Sequence, residues 1–150
     1  MRHSSLPGLV AAVVLGLFAT AALAQERELP PITAEQRAGI APVIDLFLSR
    51  LQSDQLDLAY DDLLGDTPMP TRDAVLPTLI GQSRSILTMY EGVLGWEEVD
   101  SVCLAESVCR VLYIVHTPQV PVFFTFDTYR APTGWKVTRL TFTDQPQNAY

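Results

Sequence analysis

The sequence predicts an α+β domain: helices in the first half, packed on one face of a four-stranded antiparallel sheet supplied by the second half. Three observations carry this. Apolar residues recur at helical spacing up to about Tyr90. From Trp96 onward the pattern alternates with period two and is rich in Val, Phe, Tyr and Thr. Short turn signals divide that second half into four runs, the layout of successive hairpins.

Ahead of the domain lies MRHSSLPGLVAAVVLGLFATAALAQ, with Arg2 and His3 before an apolar stretch over residues 6–23 and Ala22-Leu23-Ala24 before Gln25. A basic start, an apolar middle and a small-residue A-x-A site are the plan of a secretory signal peptide, which predicts cleavage after Ala24 and a periplasmic or secreted protein. The competing reading is an uncleaved anchor, since about 20 apolar residues span a bilayer. Pro7, Gly8, Gly16 and the cleavage site favour removal, which leaves no stable membrane anchor. Residues 25–32 (QERELPPI) read as an exposed lead-in, residues 33–144 as one domain, and residues 145–150 as a C-terminal tail.

Thr33 with Gln36 is a capping-box pattern, in which each side chain satisfies a backbone donor of the other at a helix start. Ile40, Val43, Ile44, Phe47 and Leu51 then form an apolar stripe, and Pro42 predicts a kink or restart. Asp54 reads as the N-cap of a second helix with Leu56, Ala59, Tyr60 and Leu63 inward and Gly65 as its stop. Thr71 reads as the cap of a third, whose inner face is Leu76, Leu79, Ile80, Ser83, Leu87 and Tyr90, with Pro77 bending its first half. The strands are EVDSVC, RVLYIVHT, PVFFTFDTYR and GWKVTRLTFT, joined by LAES, PQ and APTG. In the last, Trp135 and Val137 share one parity and Leu140 and Phe142 the other, so a bulge near Thr138 or Arg139 is needed to put all four on one face.

The run LQSDQLDLAYDDLL, the third helix ending near YEGVLGWEEV, and strand pairs closing on GWKVTRLTF together resemble the NTF2-like (cystatin-like) superfamily, in particular its small exported bacterial members. The resemblance spans residues 33–143. It implies helices packed on the concave face of a curved four-stranded antiparallel sheet, a cone with a pocket at its mouth, and a homodimer formed through the sheet. The superfamily includes isomerases, dehydratases, hydrolases and non-enzymes, so the fold does not carry a reaction with it.

Cys103 and Cys109 are the only cysteines. Their C-x5-C spacing, with a single histidine after the leader, lacks the four N/S ligands of a zinc site and the C-x-x-C of a redox centre. An exported chain in an oxidising compartment favours a structural disulfide across the first hairpin, with buried free thiols as the alternative. His116 and Asp127 are the candidates for acid/base work: a strand-end imidazole titrating near neutrality, and an acid set in an aromatic strand. The plainer readings are a locally bonded histidine and an aspartate paired with Arg110, Arg130 or Arg139. Tyr60, Tyr90, Tyr113, Phe124, Phe126 and Trp135 are candidates for lining an apolar pocket, though large aromatics of a small domain equally build its core. Asp57, Asp61, Asp62 and Asp66 lack the calcium-loop pattern and read as solvated acids.

The net charge is −7, and −8 once Arg2 leaves with the leader, with no basic stripe. Such a surface repels phosphate backbones, so nucleic acid is not an expected partner. No P-loop, dinucleotide fingerprint, metal set or nucleophile elbow is present, and no cofactor is predicted. The chain therefore reads as an exported, non-catalytic module binding a small apolar ligand or an envelope protein. Two alternatives stand beside it. One is an isomerase or dehydratase using Asp127 and His116 with Tyr60 or Tyr90 as hydrogen-bond donor. The other is a structural accessory subunit of an envelope complex, which predicts an apolar patch on the outer sheet face.

Overall fold

The computed structural model describes residues 29–69 and 72–148. The leader, its cleavage point after Ala24 and the Thr71 cap lie outside them. Three helices, α1 (Ala34–Gln52), α2 (Leu56–Leu64) and α3 (Arg72–Met89), precede four strands, β1 (Gly95–Ala105), β2 (Val108–His116), β3 (Val122–Ala131) and β4 (Gly134–Thr143). The strands form one antiparallel sheet in the order β1-β2-β3-β4, so the α+β expectation holds. Among the described residues no helix is long and apolar enough to cross a membrane.

The capping box forms as read: Gln36 N donates to Thr33 Oγ1 (3.2 Å) and Thr33 N to Gln36 Oε1 (2.8 Å). The Gln36 side chain also donates to the Glu106 carbonyl, tying the start of α1 to the first hairpin. Helix α1 neither breaks nor restarts at Pro42. Ala38, whose carbonyl loses its helical donor to the missing N–H, is exposed, so water replaces the bond cheaply.

Asp54 does not cap α2. Its φ of 55° is left-handed, and it closes α1 from the far side, with Asp54 N donating to Leu51 O and Gln55 N to Arg50 O. These are the two reverse bonds of a Schellman C-cap. The residue before α2 is Gln55, which makes no side-chain cap bond. Helix α3 ends in the same way, with Glu91 at φ 65° and Gly92 N donating to Leu87 O. Pro77 lies within α3, and only Ser83 and Leu87 of that helix are buried.

In β4, Asp127 faces Arg139 while Thr128 faces Val137, which makes Thr138 the extra residue. That bulge brings Trp135, Val137, Leu140 and Phe142 to the helix-bearing side, with Val137 and Leu140 buried. Phe47 of α1 stands at the centre of the core, edge-on to Tyr60 (5.2 Å), Phe126 (5.8 Å) and Phe124 (6.1 Å). Tyr113 meets Phe126 edge-on, and Phe124 stacks on Phe142 at 5.4 Å.

Cys103 and Cys109 are directly opposed in register, 4.0 Å apart at Cα, and joined by a disulfide. Cys103 N donates outward, to Pro30 O, so the two cysteines occupy a non-hydrogen-bonded pair, the position where facing side chains come closest. The lead-in is not wholly exposed. Pro31 bridges Val102, and Ile32 is buried in the core, so the segment acts as a strap on the β1 edge. At the other terminus Pro146–Asn148 form a single 3-10 turn with no buried residue.

Candidate functional site

His116 and Asp127 both lie on the face of the sheet away from the helices. His116 Nε2 is 3.1 Å from Glu97 Oε1, with both side chains about half exposed or more. Asp127 receives Arg110 Nε at 2.7 Å and Nη2 at 3.2 Å, and that bidentate bond, with its charge, raises the Arg110 pKa. Arg110 and His116 sit six residues apart on one strand, about 20 Å at ~3.3 Å per residue. The two candidates therefore share no cavity, which is what joint acid/base chemistry requires. The aspartate–arginine pairing read as the plainer alternative is the arrangement found.

The six aromatic candidates do not surround a common space. Tyr60, Tyr113, Phe124 and Phe126 are buried against one another and against Phe47, filling the interior where a cone pocket was anticipated. Tyr60 and Ser83 share a buried 2.5 Å hydrogen bond, and burial pushes the Tyr60 pKa up to about 12. Burial, then the nearby Glu98 carboxylate, also pushes Tyr113 up to about 12. Tyr90 donates to Asp144 Oδ2 at 2.5 Å, pinning the end of α3 to the end of β4, and this bond raises its pKa.

Trp135 is the exception. It lines an open groove of about 500 Å³ between α1, α2 and the start of β4. The floor is apolar, made by Val43, Leu46, Phe47, Leu63 and Trp135 with Pro42 at its margin. The indole rests its Cδ1–Nε1 edge against Gly39, where an added Cβ would come within 2.4 Å of Cδ1. The rim carries Asp62, Asp66, Thr67, Thr133 and Lys136. Asp62 is taken by Arg50 Nε at 2.6 Å, and the Thr67 hydroxyl donates to Val137 O at 3.0 Å. Lys136, the only lysine of the chain, reaches Asp66 at 4.0 Å, the limit of an ion pair.

Reading alternation and aromatic content pointed to the interior and missed Pro42, Leu46, Thr133 and Lys136. A signal for Pro42 and Leu46 was present: Gly39, Pro42, Val43 and Leu46 form a second stripe at helical spacing on α1, beside the one that builds the core. Among the described residues no three His, Cys, Asp or Glu side chains gather as a metal site. Scans against family models, curated proteins and solved structures gave no match.

Proposed function

We propose that this protein is an exported, non-catalytic binding module of the cell envelope, NTF2-like in its order of elements, and that it holds an apolar ligand or partner segment in the α1/α2/β4 groove. The observation that carries this reading is the contrast between an interior packed solid with aromatic rings and an open, apolar-floored groove beside it. Export is supported by the leader-like residues 1–24 and by the disulfide, which suits an oxidising compartment. The test is native mass spectrometry of the protein isolated from its own envelope, beside its Leu46→Asp variant. Leu46 is 47% exposed, so the charge enters the groove without entering the core. A bound mass present in the wild type and lost in the variant supports the reading; a bound mass that survives Leu46→Asp, or none at all, refutes it. N-terminal sequencing of the same sample should begin at Gln25.

A second reading, a structural subunit docking through the outer sheet face, is favoured by one observation. A cleft of about 300 Å³ on that side is lined by Leu29, Val102, Leu104 and Val108, and Leu104 is 70% exposed. Leu104→Asp separates the two, since it should disrupt an outer-face complex and leave groove binding intact.

A further inference from the structure

We propose that the groove recognises an extended, proline-containing segment of a partner protein with a basic residue beside the prolines, an inference that rests on the groove reading above. Its first ground is the set of unused donors. Among the described residues, the Trp135 indole N–H and the Thr133 hydroxyl make no hydrogen bond, and the Lys136 ammonium has only its 4.0 Å contact with Asp66. Beside an apolar floor, such donors call for a ligand that is itself rich in acceptors and short of donors. A polyproline-type segment fits that description, because its carbonyls have no internal partners, its prolines carry no N–H, and its shape is held with little entropy left to lose.

The walls supply the second ground. Pyrrolidine rings pack on flat aromatic and aliphatic surfaces, and here the half-exposed indole, held in place by Gly39, stands beside Val43, Leu46 and Leu63. Charge supplies the third. Asp66 has a side chain 93% exposed and only a marginal partner, and the whole chain carries −7, so a cationic flank is steered toward the rim while an acidic one is repelled. A strand added to the β4 edge is a poorer fit, because the Thr67 hydroxyl already occupies the Val137 carbonyl there.

The test uses the mature chain and three capped synthetic peptides: a Pro-Pro-Arg repeat, an Ala-Ala-Arg repeat and a Pro-Pro-Glu repeat. NMR shifts of the Trp135 indole N–H and the Lys136 amide report on the groove. The proposal expects saturable shifts of both with Pro-Pro-Arg, and binding weaker by about tenfold or more with each control, one lacking the rings and one the cation. It also expects Asp66→Lys to weaken Pro-Pro-Arg binding, and Leu46→Asp to abolish it with the melting temperature unchanged. Equal binding of the Ala-Ala-Arg repeat, or no response to Pro-Pro-Arg, overturns the proposal. Free indole, added separately, distinguishes the two levels: if it shifts Trp135 and Lys136 where the peptide does not, the peptide proposal falls and the groove reading stands. If neither moves them, both fall.

Discussion

Gly39→Ala probes how the groove is built, and Gly81→Ala provides its internal control. Both glycines lie inside helices, so replacing either by alanine gains about 0.8–1.0 kcal/mol from helix propensity alone. At Gly81 an added Cβ meets nothing within 4 Å, and that gain should appear in full. At Gly39 the same Cβ would lie 2.4 Å from Trp135 Cδ1 and 2.7 Å from Nε1. Carbon contacts settle at about 3.5–4.0 Å, so the indole must retreat by more than about 1 Å, and overpacking of this kind costs about 1–3 kcal/mol. The expected result is a net loss of up to about 2 kcal/mol for Gly39→Ala against a gain of about 1 kcal/mol for Gly81→Ala, measured by urea denaturation with unchanged slope. Trp135 emission, isolated in a Trp96→Phe background, should shift to the red as the ring swings into water. If Gly39→Ala stabilises as much as Gly81→Ala with the emission unmoved, the indole is not seated on α1 and the groove floor is drawn wrongly.

Replacing both Cys103 and Cys109 by alanine opens a short loop and should cost about 2 kcal/mol in denaturant stability, while the wild type titrates no free thiols under denaturing conditions. Glu91→Gly relieves a left-handed residue with a Cβ and should raise stability by about 1 kcal/mol, read from the same denaturation curves. Tyr60 and Tyr113 hold their protons to about pH 12 in the folded chain, whereas the unfolded chain releases them near the ordinary tyrosine value of 10.0. Stability should therefore be fully present below pH 10 and fall as pH rises toward 12, with phenolate absorbance at the unfolding transition marking the loss.

How much of this was legible in the sequence depends on how local the cause is. The capping box needs only Thr33 and Gln36, and the Thr138 bulge follows from counting parity along β4; both appear as read. The disulfide followed from spacing and from the leader together. Asp54 was misread because an aspartate between two helices serves either as an N-cap or as a left-handed residue closing the helix before it. The choice rests on where Gln55 N finds its acceptor, and it finds Arg50 O. Pro42 predicts a kink or restart and α1 shows no restart there, because the cost of a proline depends on whether the abandoned carbonyl meets water, which is a tertiary fact. His116 and Asp127 were correctly placed on alternating positions, but which face carries the helices is decided by packing. The groove was missed for a similar reason: it is a gap between three elements, and no single one of them encodes it.

The strap of Pro30 and Pro31 along β1 has a practical consequence for handling the protein. The chain enters the domain beside the Glu106–Ser107 turn and leaves it beyond Asp144, at the end of the sheet where Phe123 and Thr143 pair, so its two ends emerge at opposite ends of the sheet. The groove, bounded by Thr133 and Trp135 at the β3–β4 turn, sits on the helix-bearing side at the β4 edge, across the sheet from that strap. Leu29 lines the cleft on the outer sheet face with Leu104, so anything fused ahead of it hangs over that face and pulls on the strand that backs the cystine, while a tag placed after Asn148 lies a full strand length away. Immobilisation through the N-terminus thus crowds the outer cleft rather than the groove, and capture through the C-terminus leaves that cleft clear.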